Sequence, residues 1–209
     1  MRGIKNIVFD LGGVIVDLDI PTSLKAFAKI MVHPVGTLEE AIATLRPLMH
    51  AMDVGEMEAE TFISIMKEQC HPDVTDEEIV DAFNQIIRLP RHRLEWLLEL
   101  RKHYRVFLLS NIGDLHWRET QRQSKALGID FASCFDEMFL SYKMKLAKPD
   151  IRIYERLIAE TSIQPSETLY IDDLPNNIEA GRTMGLISKI VPTNEVDEEL
   201  KKLFPEILS

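Results

Sequence analysis

Five short, apolar, β-rich runs set the terms for this chain: Ile4–Phe9, Tyr104–Leu109, Glu137–Leu140, Thr168–Ile171 and Leu186–Val191. Near-continuous apolar runs of this length suit strands buried on both faces of a parallel sheet. From residue 104 onward they alternate with helical patterns near 114–127, 150–161 and 176–184. That alternation predicts an α/β fold, a Rossmann-like doubly wound parallel sheet. The rhythm breaks after the first run. Leu24, Phe27, Ala28 and Met31 make one apolar helical face, Leu38, Ile42, Leu45 and Met49 a second. Phe62, Ile65 and Met66 make a third, and Ile79, Ala82, Phe83 and Ile86 a fourth. Pro47 is expected to kink or end the second helix; Thr75 and Glu78 have capping-box spacing. No convincing strand occurs in this stretch. The economical division is an α/β core over residues 1–16 and 89–209, interrupted by an inserted α-helical subdomain over 17–88.

Charge narrows the partners. Asp and Glu number 34 against 24 Lys and Arg, a formal charge of -10. Such a chain repels nucleic acid and anionic membrane at long range, so neither is an expected partner, and a bound anion requires a locally arranged positive site. No apolar run approaches a membrane span, and Asp10 cuts the first apolar run too short for a signal peptide. Cys70 and Cys134 lie far apart without metal-ligand spacing and read as buried thiols in a reducing compartment. A cytoplasmic location is expected. The sequence carries no sign of an oligomeric state.

In open parallel sheets, ligands bind beyond the carboxyl ends of the strands. Asp10 follows the first run, Ser110 and Asn111 the second, and Asp172 and Asp173 the fourth, while Lys148 lies between the third and fourth. Singly, each has an ordinary reading as a cap, a turn or a solvated lysine. Together they fit phosphoryl transfer. The Asp10 carboxylate can attack phosphorus. Asp10 and Asp172 offer hard oxygens to Mg2+, which charge balance demands where carboxylates meet a phosphate. Lys148 neutralises nucleophile and phosphate, the Ser110 hydroxyl donates to phosphoryl oxygens, and Gly12 and Gly13 turn the chain so that its amides approach them.

With these residues in place, the sequence resembles the haloacid dehalogenase superfamily. Its four motif positions occur in order, at Asp10, Ser110, Lys148 and Asp172–Asp173, and the insert falls where that family carries a helical cap. The wording FDLGGVIVD, LSN, KPDIRIY and IDDLPNNIEAG is most similar to its small bacterial sugar-phosphatase branch, of the alpha-D-glucose-1-phosphate phosphatase type. The resemblance implies a Mg2+-dependent phosphatase acting on a small phosphorylated metabolite through an aspartyl-phosphate. It implies catalytic roles for Asp10 and Lys148, and substrate contacts from Ser110, Asn111, Lys148, Gly12 and Gly13. The implied metal ligands are Asp10, the Gly12 carbonyl and Asp172. Asp173 and Asn177 match positions that support the metal's waters and orient Lys148.

One position departs from the family. Its phosphatases usually carry a general acid and base two residues after the nucleophile, where this chain has Gly12. Such help contributes ~10²–10⁴-fold, so its loss favours leaving groups that need little protonation, such as an anomeric hydroxyl. Glu56 and Glu58 are candidate substitutes, and Asp53 joins them as a candidate for sugar hydroxyls. A 2-haloacid dehalogenase is a rival reading, opposed by the intact Asp172–Asp173 pair. A catalytically degenerate phosphate-ligand binder is another, suggested by Gly12. His116 and Trp117 read as a packed helix face, His71 beside Cys70 lacks further ligands, Lys145 faces water, and Glu195–Glu199 reads as a solvated helix face.

Overall fold

The computed structural model describes residues 3–33 and 37–208, with side chains at 38, 39, 41 and 42 set aside. The strands are β1 (Asn6–Phe9), β2 (Asp17–Leu18), β3 (Ile87–Arg88), β4 (Arg105–Ser110), β5 (Glu137–Leu140), β6 (Thr168–Asp172) and β7 (Ile187–Ile190). Five of them form one parallel sheet of order β5-β4-β1-β6-β7. These are the five runs read from sequence, each within two residues at its ends. The chain winds outward from β1 to β5 and returns across it to β6. That reversal creates a topological switch point at the carboxyl end of β1, where such sheets bind ligands.

Alternation along the strands feeds two cores. Ile7, Phe9, Leu108 and Ile171 face one side, under α5 (Arg91–Leu100), Trp117 of α6 (Asp114–Ala126) and α10 (Val196–Leu203). Val8, Phe107, Leu109 and Tyr170 face the other, under α8 (Ile151–Thr161) and α9 (Pro175–Thr183). The short helix α7 (Ser141–Met144) follows β5 directly.

Between β2 and β3 run α1 (Ile20–Ile30), α2 (Leu38–Asp53), α3 (Ala59–Lys67) and α4 (Asp76–Asn84). Phe27, Phe62, Met66, Ile79 and Phe83 form their shared core, joined by Leu115 of α6. The capping box expected at Thr75 and Glu78 is present, in both directions. Two expectations need correction. Pro47 does not end α2: the helix runs through it to Asp53, its second half held by Met52 in the insert's core. The stretch also holds strands, since β2 and β3 pair antiparallel, Asp17 with Arg88 and Leu18 with Ile87. Of the second apolar stripe, the side chains of Leu38 and Ile42 lie outside the described residues.

Candidate active site

Register assembles the site. Phe9 pairs with Leu108 on one side and Ile171 on the other. Asp10 and Asp172 therefore leave the sheet side by side, with Ser110 one step further along β4. The Asp10 N–H extends the ladder by one bond, to the Ile171 carbonyl at 2.9 Å. Lys148 reaches in from the loop after α7, and its Nζ stands 2.7 Å from Asp10 Oδ1 and 2.7 Å from Asp172 Oδ2. Asn111 holds that loop. Its Oδ1 accepts from the Lys148 N–H at 2.8 Å, and its Nδ2 donates to the Lys148 carbonyl at 2.8 Å.

Asp172, with no exposed surface, is gripped from several directions. The Leu174 N–H donates to Oδ1 at 2.8 Å, and Asn177 Nδ2 donates to both oxygens, at 3.0 and 3.1 Å. The Tyr170 hydroxyl donates to Oδ2. Asn177 thus bonds to Asp172, which itself accepts from the Lys148 Nζ, while Asn111 holds the Lys148 backbone. Gly13 brings the turn after Asp10 against Asp173. Its φ is +78°, which an L side chain rarely adopts, and a Cβ there would lie 2.7 Å from Asp173 Oδ2. Gly12 sits in the same turn under Leu18.

Oxygens of Asp10, Asp172 and Asp173 lie within 4.8 Å of one another. Three carboxylates against the Lys148 ammonium leave two negative charges uncompensated when all are ionised. The protonation equilibria respond accordingly. Burial pushes Asp10 up to about 7; Lys148 opposes the rise and Asp172 adds to it. Burial and the neighbouring Asp172 also raise Asp173. For Lys148, burial works against the charged form, but Asp10 and Asp172 outweigh it and hold the ammonium above its usual range. The Ser110 hydroxyl is buried with no hydrogen-bond partner among the described residues. An orphaned buried donor beside concentrated negative charge suits a ligand that brings both a cation and acceptor oxygens.

The remaining sequence candidates fall elsewhere. His116 is buried and stacked on Phe83, ring centroids 4.0 Å apart. Trp117 meets Phe131 edge-on. Glu56 and Glu58 are exposed in the loop after α2. Lys145 does not simply face water: its Nζ donates to the Gly55 carbonyl, tying the core to that loop. Nor is the segment 195–199 wholly solvated. Asp197 Oδ1 accepts from the buried Arg93 at 2.8 Å, and Arg93 also reaches Asp17 at 2.7 Å and the Val14 carbonyl at 3.1 Å. Sequence reasoning passed over Tyr170 and Arg93. Alternation places Tyr170 on the same side of β6 as Asp172, a usable signal; Arg93 gives none.

The family model for haloacid dehalogenase-like hydrolases matches residues 4–185. A D-ribitol-5-phosphate phosphatase of Bacteroides thetaiotaomicron is 33% identical over 204 residues, covering 93% of this chain and 94% of that protein. A crystal structure of a HAD family enzyme from the same organism, in complex with magnesium and inorganic phosphate, superposes with a TM-score of 0.85 at 29% identity. It covers 96% of this chain and 99% of that one. A HAD-like hydrolase structure from Porphyromonas gingivalis gives a TM-score of 0.79 at 26% identity, covering 97% and 99%. None of these names the glucose-1-phosphate branch. On the matched span and on these relatives, the chain belongs to the haloacid dehalogenase-like hydrolase family.

Proposed function

We propose that this hydrolase is a Mg2+-dependent phosphatase that acts on a small phosphorylated metabolite of the sugar-phosphate class through an aspartyl-phosphate on Asp10. One observation carries the reading: the partnerless Ser110 hydroxyl lies at the mouth of a sheet where Asp10, Asp172 and Asp173 outnumber Lys148. The ribitol-5-phosphate phosphatase and the magnesium–phosphate complex among the relatives support it.

The donor set suits a hard divalent cation, with Asp10, the Gly12 carbonyl and Asp172 as ligands and Asp173 and Asn177 in support. Bound Mg2+ supplies the positive charge that lets carboxylate and phosphate approach. The protein's own groups do the rest. An Asp10 oxygen bonds to phosphorus while the bond from phosphorus to the leaving-group oxygen breaks, and the departing alkoxide takes up a proton from water. Water then cleaves the acyl phosphate, releasing inorganic phosphate and restoring Asp10. Lys148 screens nucleophile and phosphoryl group, held in place by Asn111. The Ser110 hydroxyl and the amides around Gly12 and Gly13 donate to the phosphoryl oxygens. Gly12 cannot move a proton, so esters with good leaving groups, anomeric phosphates among them, turn over fastest. The helices over 17–88 act as a cap that excludes water and selects the alcohol.

The test is a magnesium-supplemented screen of phosphorylated metabolites with wild type and Asp10→Asn. Magnesium-dependent phosphate release that vanishes in Asp10→Asn is expected. Chloride release from chloroacetate without magnesium establishes the dehalogenase instead, which Asp172, buried and bonded to Lys148, argues against. Phosphate binding with no turnover establishes the degenerate binder that Gly12 suggests.

A further inference from the structure

The helical insert contains a cleft of about 360 Å3 that Asp10, Ser110, Lys148 and Asp172 do not line. It nevertheless borders both catalytic loops. Ile20 and Ile86 flank the β2–β3 ribbon, whose Leu18 lies 3.4 Å from where a Cβ on Gly12 would stand. On another wall Asp53, at the end of α2, lies beside Gly113, in the loop that follows Ser110, its Oδ1 3.5 Å from where a Cβ on that glycine would stand. Glycine permits that approach, since a Cβ at 113 would stand 3.0 Å from Met52 Cβ.

The lining has two characters. Leu24, Leu45, Met49 and Phe83 give an apolar wall; Arg46, His50 and Asp53 give the polar groups. The Ser23 hydroxyl is already donated to the Ala82 carbonyl at 2.8 Å. Asp53 is half-buried and has no cation partner among the described residues. Burial pushes its carboxyl up to about 7. A half-buried carboxylate that makes no ion pair keeps lone pairs free for a donor that enters the cleft.

We propose that this cleft receives the sugar portion of the substrate, and that Asp53 is a specificity-determining residue that accepts a hydrogen bond from one of its hydroxyls. The assignment rests on the phosphatase reading above. It further selects a ring-form sugar. A ring presents a C–H face to the apolar wall and a hydroxyl edge to Asp53, Arg46 and His50. An extended polyol turns hydroxyls in every direction and leaves some unpaired against Leu24, Leu45 and Met49, a mismatch that costs affinity.

The experiment compares kcat/KM for ring-form sugar phosphates, their monodeoxy analogues, ribitol 5-phosphate and acetyl phosphate. Acetyl phosphate carries the phosphoryl group and no sugar. Asp53→Asn keeps the size and shape of the side chain, and thermal melting verifies its fold. It is expected to lower kcat/KM for the preferred ring sugar by ~10–100-fold more than for acetyl phosphate, chiefly through KM. One monodeoxy analogue, lacking the hydroxyl that Asp53 reads, escapes this penalty. Leu24→Trp, which narrows the cleft from α1, shifts the same ratio in the same direction. Equal losses on sugar and acetyl phosphates, equal sensitivity of every deoxy analogue, or a preference for the polyol overturns the assignment. Failure of wild type to release phosphate from any of these esters overturns the phosphatase reading, and the assignment with it.

Discussion

Asp172 is the most constrained side chain of the site, and its neighbours separate what one residue reveals from what it conceals. Asp10, Ser110 and Asp172 were legible because each follows an apolar run, and the end of a buried strand is where a polar group can be presented; Lys148 was legible by its place between the third and fourth runs. Tyr170 and Asn111 were not legible in their roles, since a tyrosine within a strand and an asparagine after a serine have many ordinary uses. Their contacts make the difference. Replacing Tyr170 with Phe removes one donor from Asp172, and a loss of about 1–2 kcal/mol in urea unfolding is expected. His116 offers a pH test. Burial lowers its imidazole from 6.5 to about 4, so between those values the unfolded chain binds a proton that the folded one refuses. Its effect on stability is absent above pH 6.5, grows as pH falls, and levels off below about 4. It reaches about 3 kcal/mol at most, at 1.36 kcal/mol per pH unit. Urea unfolding of wild type and His116→Phe at pH 7 and pH 4.5 checks this, the wild type losing more stability on acidification.

Among elements, long periodic helices and buried strands were readable, while short or context-held pieces were not. α4 announced itself through its stripe and its Thr75–Glu78 cap. Thr75→Ala is expected to cost about 1 kcal/mol, read as a lower urea midpoint with unchanged slope. The two-residue strands β2 and β3 hold too few residues for any periodicity; they pair because the chain leaves and re-enters the core at one place. Pro47 removes a single backbone bond, and packing around α2 outweighs the local preference. The turn after β1 is the element on which chemistry depends most closely. Gly13→Ala forces a side chain into both a left-handed backbone and the space beside Asp173. It is expected to lower phosphatase activity at least tenfold, checked by kcat/KM alongside the melting temperature.

At the scale of the whole molecule, distant segments meet at two places. Arg93 joins Val14 and Asp17, where the chain leaves the core, to Asp197 on α10. Arg93→Met leaves two carboxylates that are partly exposed and can rehydrate, so about 2–3 kcal/mol of stability is expected to be lost. The second place is the carboxylate cluster, drawn from two strand ends 162 residues apart by their pairing with each other. A cation that binds it only in the folded state raises the melting temperature by mass action. Magnesium is expected to stabilise wild type and to have a much smaller effect on Asp172→Asn, measured by thermal melting with and without EDTA.

Order along the chain determined the class of fold, the interruption after the first strand and which polar residues stand at strand ends, because burial patterning and turn chemistry are local. No helix among the described residues is long and apolar enough to cross a membrane, in keeping with that patterning. Strand order and register, the grip on Asp172, the anchoring of Lys148 by Asn111 and the cleft beside Asp53 were decided by tertiary structure alone. Those depend on which distant segments pack together, and no single stretch of sequence contains that information.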